Sequence, residues 1–158
     1  MPATPALTLD PETADLTIQQ LSRRTGLAES ALRYYERIGL IDPVPRDQSS
    51  GHRRYPPALV ATVEGLACLR DTGMSVADMR VYVENMRRGP AAAADQRRLF
   101  AARAEHLRAE MARLRVREQY VSAKAQLWAA RERGDRAAEE AVIPELIELM
   151  ERLLGNHV

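Results

Sequence analysis

The sequence predicts a mainly α-helical protein: a small head of short helices carrying a turn-rich loop, then one long helix and a short C-terminal helix. Three observations predict it. Between 17 and 55, apolar residues recur at helical spacing in two short runs, each ended by a glycine, and a loop rich in proline, serine and glycine follows. From 91 to 133 there is neither proline nor glycine, and apolar residues recur every three or four positions. Aromatics make up only 4% of the 158 residues against 46% hydrophobic residues overall, which suits a small helical core better than a large sandwich or barrel.

Residues 1–15 carry prolines at 2, 5 and 11 and no periodicity, and are expected to form a disordered arm. Thr17 with Gln20 three positions on is a capping-box pattern that starts a first helix, with Ile18, Leu21 and Leu27 inward. Gly26 suits the left-handed position just past its end. A second helix is expected over about 28–38, with Leu32, Tyr35 and Ile38 inward and Gly39 closing it. Two short helices around a glycine turn are the helix-turn-helix pattern. Pro43, Pro45, Asp47, Ser49, Ser50 and Gly51 then supply turn chemistry between Arg46 and the cluster His52, Arg53, Arg54, Tyr55, which reads as a two-stranded hairpin, or wing.

Pro56 and Pro57 can open a third helix running to Gly73, with Leu59, Val63, Leu66, Ala67 and Arg70 on its stripe. Ser75 and Asp78 form a second capping pattern and start a fourth, with Val76, Met79 and Val83 inward, and Gly89-Pro90 is a hinge. Taken as one helix, 91–134 would span about 65 Å. It carries a heptad register: one row is Phe100, Leu107, Leu114, Val121 and Trp128, the other Ala104, Met111, Glu118 and Ala125. Such a stripe needs a second copy to cover it. Gly134 breaks the helix, and Pro144 is expected to seed a last short one with Leu146, Ile147, Met150, Leu153 and Leu154 apolar. The domains expected are therefore an arm at 1–15, a head at 16–88, a dimerisation helix at 91–134 and a helical tail at 135–158.

The net charge of +1 hides an asymmetry. Residues 16–55 hold seven arginines (23, 24, 33, 37, 46, 53, 54) against four acids (29, 36, 42, 47), a net of +3, whereas 56–158 is nearly balanced at sixteen bases and fifteen acids. Arginine clustered in this way favours phosphate forks and base edges. One cysteine, Cys68, and three scattered histidines exclude a disulfide framework and a multi-cysteine zinc site. No apolar run approaches the roughly 20 residues that span a bilayer, and no signal-peptide pattern opens the chain, so a cytoplasmic protein without cofactor or membrane is expected. No nucleophile–base pair, metal cluster or phosphate loop argues for an enzyme.

The segments 16–21 (LTIQQL), 25–27 (TGL), 32–41 (LRYYERIGLI) and 51–55 (GHRRY), continued by 72–75 (TGMS), together resemble the MerR family of bacterial transcription regulators. The resemblance covers 16–85 by motif and 91–134 by layout. It implies a winged helix-turn-helix head and a long helix pairing antiparallel with its twin. It further implies a homodimer on a pseudo-palindromic promoter spacer of double-stranded DNA, which an effector makes it bend and untwist so that RNA polymerase can use the promoter. Carried onto matching positions, Arg33 and Tyr34 would enter the major groove, and Arg46, His52, Arg53 and Tyr55 would be wing and phosphate contacts. Thr17, Ser30, Arg37 and Arg54 complete the DNA-contact candidates. Two departures stand out: Ala28 where the family usually caps its second helix with Ser or Thr, and His52 where it often has Tyr.

Beside these stand blander readings. Tyr35 is expected in the core and Glu36 in a structural pair with an arginine. Phe100, Ala104, Leu107, Met111, Leu114, Val121 and Trp128 are the dimerisation candidates. Cys68 is either a small buried hydrophobe or the sensor of an electrophile or oxidant. Tyr120 and Trp128, with the tail helix, could enclose an apolar pocket for a small organic effector. A coiled-coil protein-interaction module is the competing functional class.

Overall fold

A computed structural model describes residues 14–155, and the arm expected at 1–15 lies, but for its last two residues, outside the described part. Six α-helices follow in order: α1 (Ile18–Thr25), α2 (Glu29–Arg37), α3 (Pro57–Asp71), α4 (Val76–Arg88), α5 (Ala93–Glu132) and α6 (Arg136–Gly155), with a 3-10 turn at Gly89–Ala92 before α5. The chain divides into two compact units, one up to Leu99 and one from Phe100 onward.

In the first unit the caps form as their residue types require. The Thr17 hydroxyl accepts from the Gln20 amide at 3.2 Å while the Gln20 side chain accepts from the Thr17 amide at 2.8 Å. Gly26 ends α1 at φ 70°, where any Cβ would be strained. Ser75 accepts from the Asp78 amide and starts α4. Ala28 makes no side-chain cap; its backbone carbonyl takes the Ala31 and Leu32 amides, and Glu29 puts a carboxylate on the positive end of α2.

These helices bury one core. Leu21, Leu27, Leu32, Tyr35, Leu40, Ile41, Leu59, Val63, Leu66 and Met79 are its centre, and each large side chain taken from water contributes about 1.5–3 kcal/mol. α3 is the most enclosed helix and departs from expectation at two positions. Arg70 is exposed, while Glu64 is buried and bonded to Arg24 of α1 at 2.5 Å. The head needs a charged partner inside because Glu64 falls on the buried side of a helix covered on several faces.

The expected two-stranded hairpin is present as a turn-closed loop with no strand among the described residues. Its arms meet at a single antiparallel bridge, Arg46–Arg53, and a second bridge ties Tyr55 to Leu16 through amide–carbonyl bonds of 2.8 and 2.9 Å. Prolines at 43 and 45 cannot donate to a longer ladder.

In the second unit α5 and α6 form a helical hairpin. Val116, Ala123 and Leu127 of α5 pack with Leu146 and Leu149 of α6, flanked by Tyr120, Val142 and Leu153. The tail helix is longer than expected: it begins at Arg136, and Pro144 lies inside it. Asp135 starts it by accepting from the Ala138 amide at 3.0 Å. An interior proline costs about 3 kcal/mol, and packing against α5 of the buried Leu146 and Leu149, with the partly buried Val142 and Leu153, offsets that cost. The expected seam residues Phe100, Met111, Leu114, Val121 and Trp128 are exposed in the single chain.

Candidate nucleic-acid interface

The outward face of α2 is built by default. Leu32 and Tyr35 are drawn into the core, so Ser30, Arg33, Tyr34 and Arg37, three and four residues apart, share the opposite side. Arg33 is 52% exposed and donates through Nη2 to Glu29 Oε2 at 2.8 Å. The Arg37 guanidinium lies 5.4 Å from the centre of the Tyr34 ring. At the far end, Arg80 of α4 donates to the Ile38 carbonyl at 3.1 Å and steadies the close of α2.

The wing loop is strapped to α2 by Glu36. Its Oε1 accepts from the Val44 amide at 3.1 Å and its Oε2 from Arg53 Nε at 2.7 Å. Partial burial opposes the charge on Glu36, but the Arg53 hydrogen bond and the Val44 amide outweigh it and lower its pKa below the ordinary 4.5. At the loop's tip Asp47 Oδ1 accepts from the hydroxyls and amides of Ser49 and Ser50, which hold the carboxyl far below the usual carboxylate range. Arg46 closes the turn by donating to the Gly51 carbonyl at 3.1 Å, and Arg54 stands 4.0 Å from Asp47. His52 is exposed.

α2 and the loop strapped to it thus bear five guanidinium groups, at 33, 37, 46, 53 and 54. Such groups suit bidentate hydrogen bonds to phosphate oxygens and to guanine O6/N7. Thr17 is half-exposed, with its hydroxyl oxygen engaged in the cap.

Tyr55 is a correction. It is fully buried, 0% exposed, and its hydroxyl is without a hydrogen-bond partner, so it is a core residue and cannot meet DNA from this position. Its alternation with exposed neighbours decides this: the backbone pairing with Leu16 turns Tyr55 inward. Burial raises the pKa of its hydroxyl, which stays neutral.

Among the other candidates, Cys68 is exposed on α3 and not the small buried hydrophobe that composition suggests. Tyr120, Lys124, Leu127, Ile143, Leu146, Ile147 and Met150 line a shallow groove of about 220 Å³ between α5 and α6. Trp128 is not among its walls; it is 62% exposed, with the Arg131 guanidinium 4.9 Å from its ring centre. Among the described residues no group of three His, Cys, Asp or Glu side chains could hold a metal ion, and no helix is long and apolar enough to cross a membrane.

Sequence reasoning passed over Glu29, whose spacing of four from Arg33 was a readable signal. It also passed over Arg80, which no local pattern links to Ile38.

Comparison with known proteins places this geometry. Residues 16–86 match the MerR HTH family regulatory protein profile. Over 67 residues the chain is 39% identical to the HTH-type transcriptional regulator AdhR of Bacillus subtilis, covering 42% of this chain and 47% of AdhR. The chain thus spans about half the length of the curated relatives it first matches. Among solved structures it resembles HiNmlR, a MerR family regulator lacking the sensor domain, bound to promoter DNA, with TM-score 0.65 and 26% identity over 81% of this chain and 95% of that one. A MerR family protein from Listeria monocytogenes shares the fold, with TM-score 0.63 and 22% identity over 89% of this chain and 98% of that one. With the helix pair, the strapped basic loop and the family profile in agreement, residues 16–86 form a helix-turn-helix domain of the MerR type.

Proposed function

We propose that this chain is a homodimeric, sequence-specific regulator of transcription that binds a two-fold promoter site in double-stranded DNA and acts by deforming it. The observation that carries the reading is the α2 face with its strapped loop: Arg33, Tyr34 and Arg37 stand outward on one helix, beside arginines that can grip phosphate. Base edges are read from a helix in the major groove, and the loop arginines fix position without reading sequence. HiNmlR, similar to this chain over most of its length, is bound to promoter DNA.

The apolar row of α5 supports the dimer. Leu114 and Val121 each precede by two residues a side chain packed with α6 (Val116 and Ala123), and Trp128 likewise precedes the buried Ala130, which sets the three about 200° round the helix from those positions. α5 therefore has two apolar faces, one covered by α6 and one open, and the open one belongs to a second copy pairing antiparallel. RNA polymerase is the partner at the promoter. A small organic effector suits the α5–α6 groove, whose walls are mostly aliphatic with Tyr120 and Lys124 at the edge. Its volume is small beside the roughly 300–1,000 Å³ of drug-sized sites.

The test is footprinting of the purified chain on its own upstream DNA. One protected, near-palindromic segment with altered cleavage at its centre is expected. Binding as a monomer, or protection indifferent to sequence, overturns the reading.

A further inference from the structure

Glu29 is the one carboxylate on the outward face of α2; the other acid of that helix, Glu36, is turned to the wing loop. It occupies the helix's first residue, the end at which a helix-turn-helix protein meets base edges. A lone carboxylate there would be repelled by phosphate, yet here it is 34% exposed and neutralised by Arg33 at 2.8 Å. The pair leaves both partners with bonding capacity to spare. The bond to Glu29 takes one of the guanidinium's five N–H donors, and the Nη1 N–H groups with the second N–H of Nη2 remain as an end-on fork for the O6 and N7 of guanine. On Glu29, Oε1 is not engaged in the hydrogen bond, and a carboxylate can accept from the N4 amino group of cytosine, which is displayed in the same groove.

We propose that Glu29 and Arg33 act as one two-residue reader, in which Arg33 selects a guanine and Glu29 selects a neighbouring cytosine. The inference rests on the reading of α2 as the DNA-recognition helix and adds the chemistry that sets its half-site. Glu29 contributes twice: it contacts the cytosine amino group, and it limits the rotamers of Arg33, so that the guanidinium arrives oriented. Adenine also carries an amino group in the major groove, but its N7 acceptor beside it faces the carboxylate unfavourably. Thymine and guanine present acceptors there and are repelled.

The experiment is selection from a library of randomised DNA duplexes, read by sequencing, with the full chain as wild type, Glu29→Gln, Glu29→Ala and Arg33→Ala. The wild type is expected to enrich a half-site holding adjacent guanine and cytosine. In Glu29→Gln the cytosine preference should fall by about tenfold and move toward adenine, whose N6 and N7 suit a carboxamide, while the guanine column persists. Glu29→Ala should lose the cytosine column without gaining adenine, and Arg33→Ala should lose the guanine column. Glu29 is on the surface, and equal far-ultraviolet circular dichroism checks that the variants are folded. If the wild type enriches a sequence and Glu29→Gln enriches the same one, the two-residue reader is overturned while DNA recognition stands. A uniform loss of affinity in Glu29→Ala, with both columns intact, reduces Glu29 to a helix-end charge and also overturns it. A wild type that enriches nothing overturns the recognition reading itself.

Discussion

At the scale of single residues, Tyr55 shows how a basic-aromatic cluster can mislead. Its neighbours at 52, 53 and 54 are all at least partly exposed, yet Tyr55 is fully buried with an unpartnered hydroxyl. A buried hydroxyl without a bond is a desolvation cost with no return. Tyr55→Phe should therefore leave stability unchanged or raise it by about 1 kcal/mol, and should leave DNA affinity unaltered. Chemical denaturation and a binding titration check both; a loss of affinity at unchanged stability would restore Tyr55 as a contact. The caps at Thr17, Gly26 and Ser75 were legible because each is decided within four residues of chain. The direction of Tyr55 was not, because it depends on a backbone pairing with Leu16, thirty-nine residues away. For the same reason the helix pattern in α3 offered no sign that Glu64 is inside: its partner Arg24 comes from another helix.

Elements gain their definition from ties between them, and the tie between α2 and the wing loop is the Glu36 carboxylate. Its pKa is lowered in the folded chain, so the unfolded chain binds protons more readily in acid. The stability from this group is then present in full above its unfolded pKa near 4.5 and is lost as the pH falls through the lower folded value. Glu36→Gln should cost about 1–2 kcal/mol at neutral pH. The gap between wild type and variant in thermal melts should hold constant from pH 8 to about 5.5 and close toward pH 3. A gap independent of pH would mean that the charge on Glu36 does not fasten the loop. The Asp47 carboxyl is likewise depressed, by Ser49 and Ser50, so its turn too is favoured by the charged form. That Glu36 pairs with an arginine could be read from its place in a basic stretch. That the partner is Arg53 required the loop to fold back, which is a tertiary fact. α6 repeats the lesson: Pro144 looks like a helix start in sequence, but the 4-3 spacing of Val142, Leu146, Leu149 and Leu153 carries the helix through it.

For the whole molecule the question is what covers α5. A heptad register is readable from 100 to 128, but the helix holds a second one, 116, 120, 123, 127 and 130, disguised by alanines whose small side chains barely mark a stripe. α6 takes the disguised face. The conspicuous one stays open, with Met111, Leu114, Val121 and Trp128 each more than half exposed, a row of large apolar side chains that a monomer would rarely leave in water. If a second copy covers that row, Leu114→Glu with Val121→Glu places charges in the seam of both protomers while touching nothing the single chain buries. The double variant should keep its helix content by circular dichroism, yet weaken the dimer by at least about 100-fold, or about 3 kcal/mol, in sedimentation equilibrium. Its affinity for a full two-fold site should fall to that of a half-site, because linking two weak readers raises their joint affinity only while both are engaged. Ala123→Glu makes the contrasting control: Ala123 is 1% exposed in the α5–α6 seam, and a carboxylate there should unfold the hairpin and lose helix content directly. A double variant that sediments as the wild type would show that the open face of α5 is not where two copies meet.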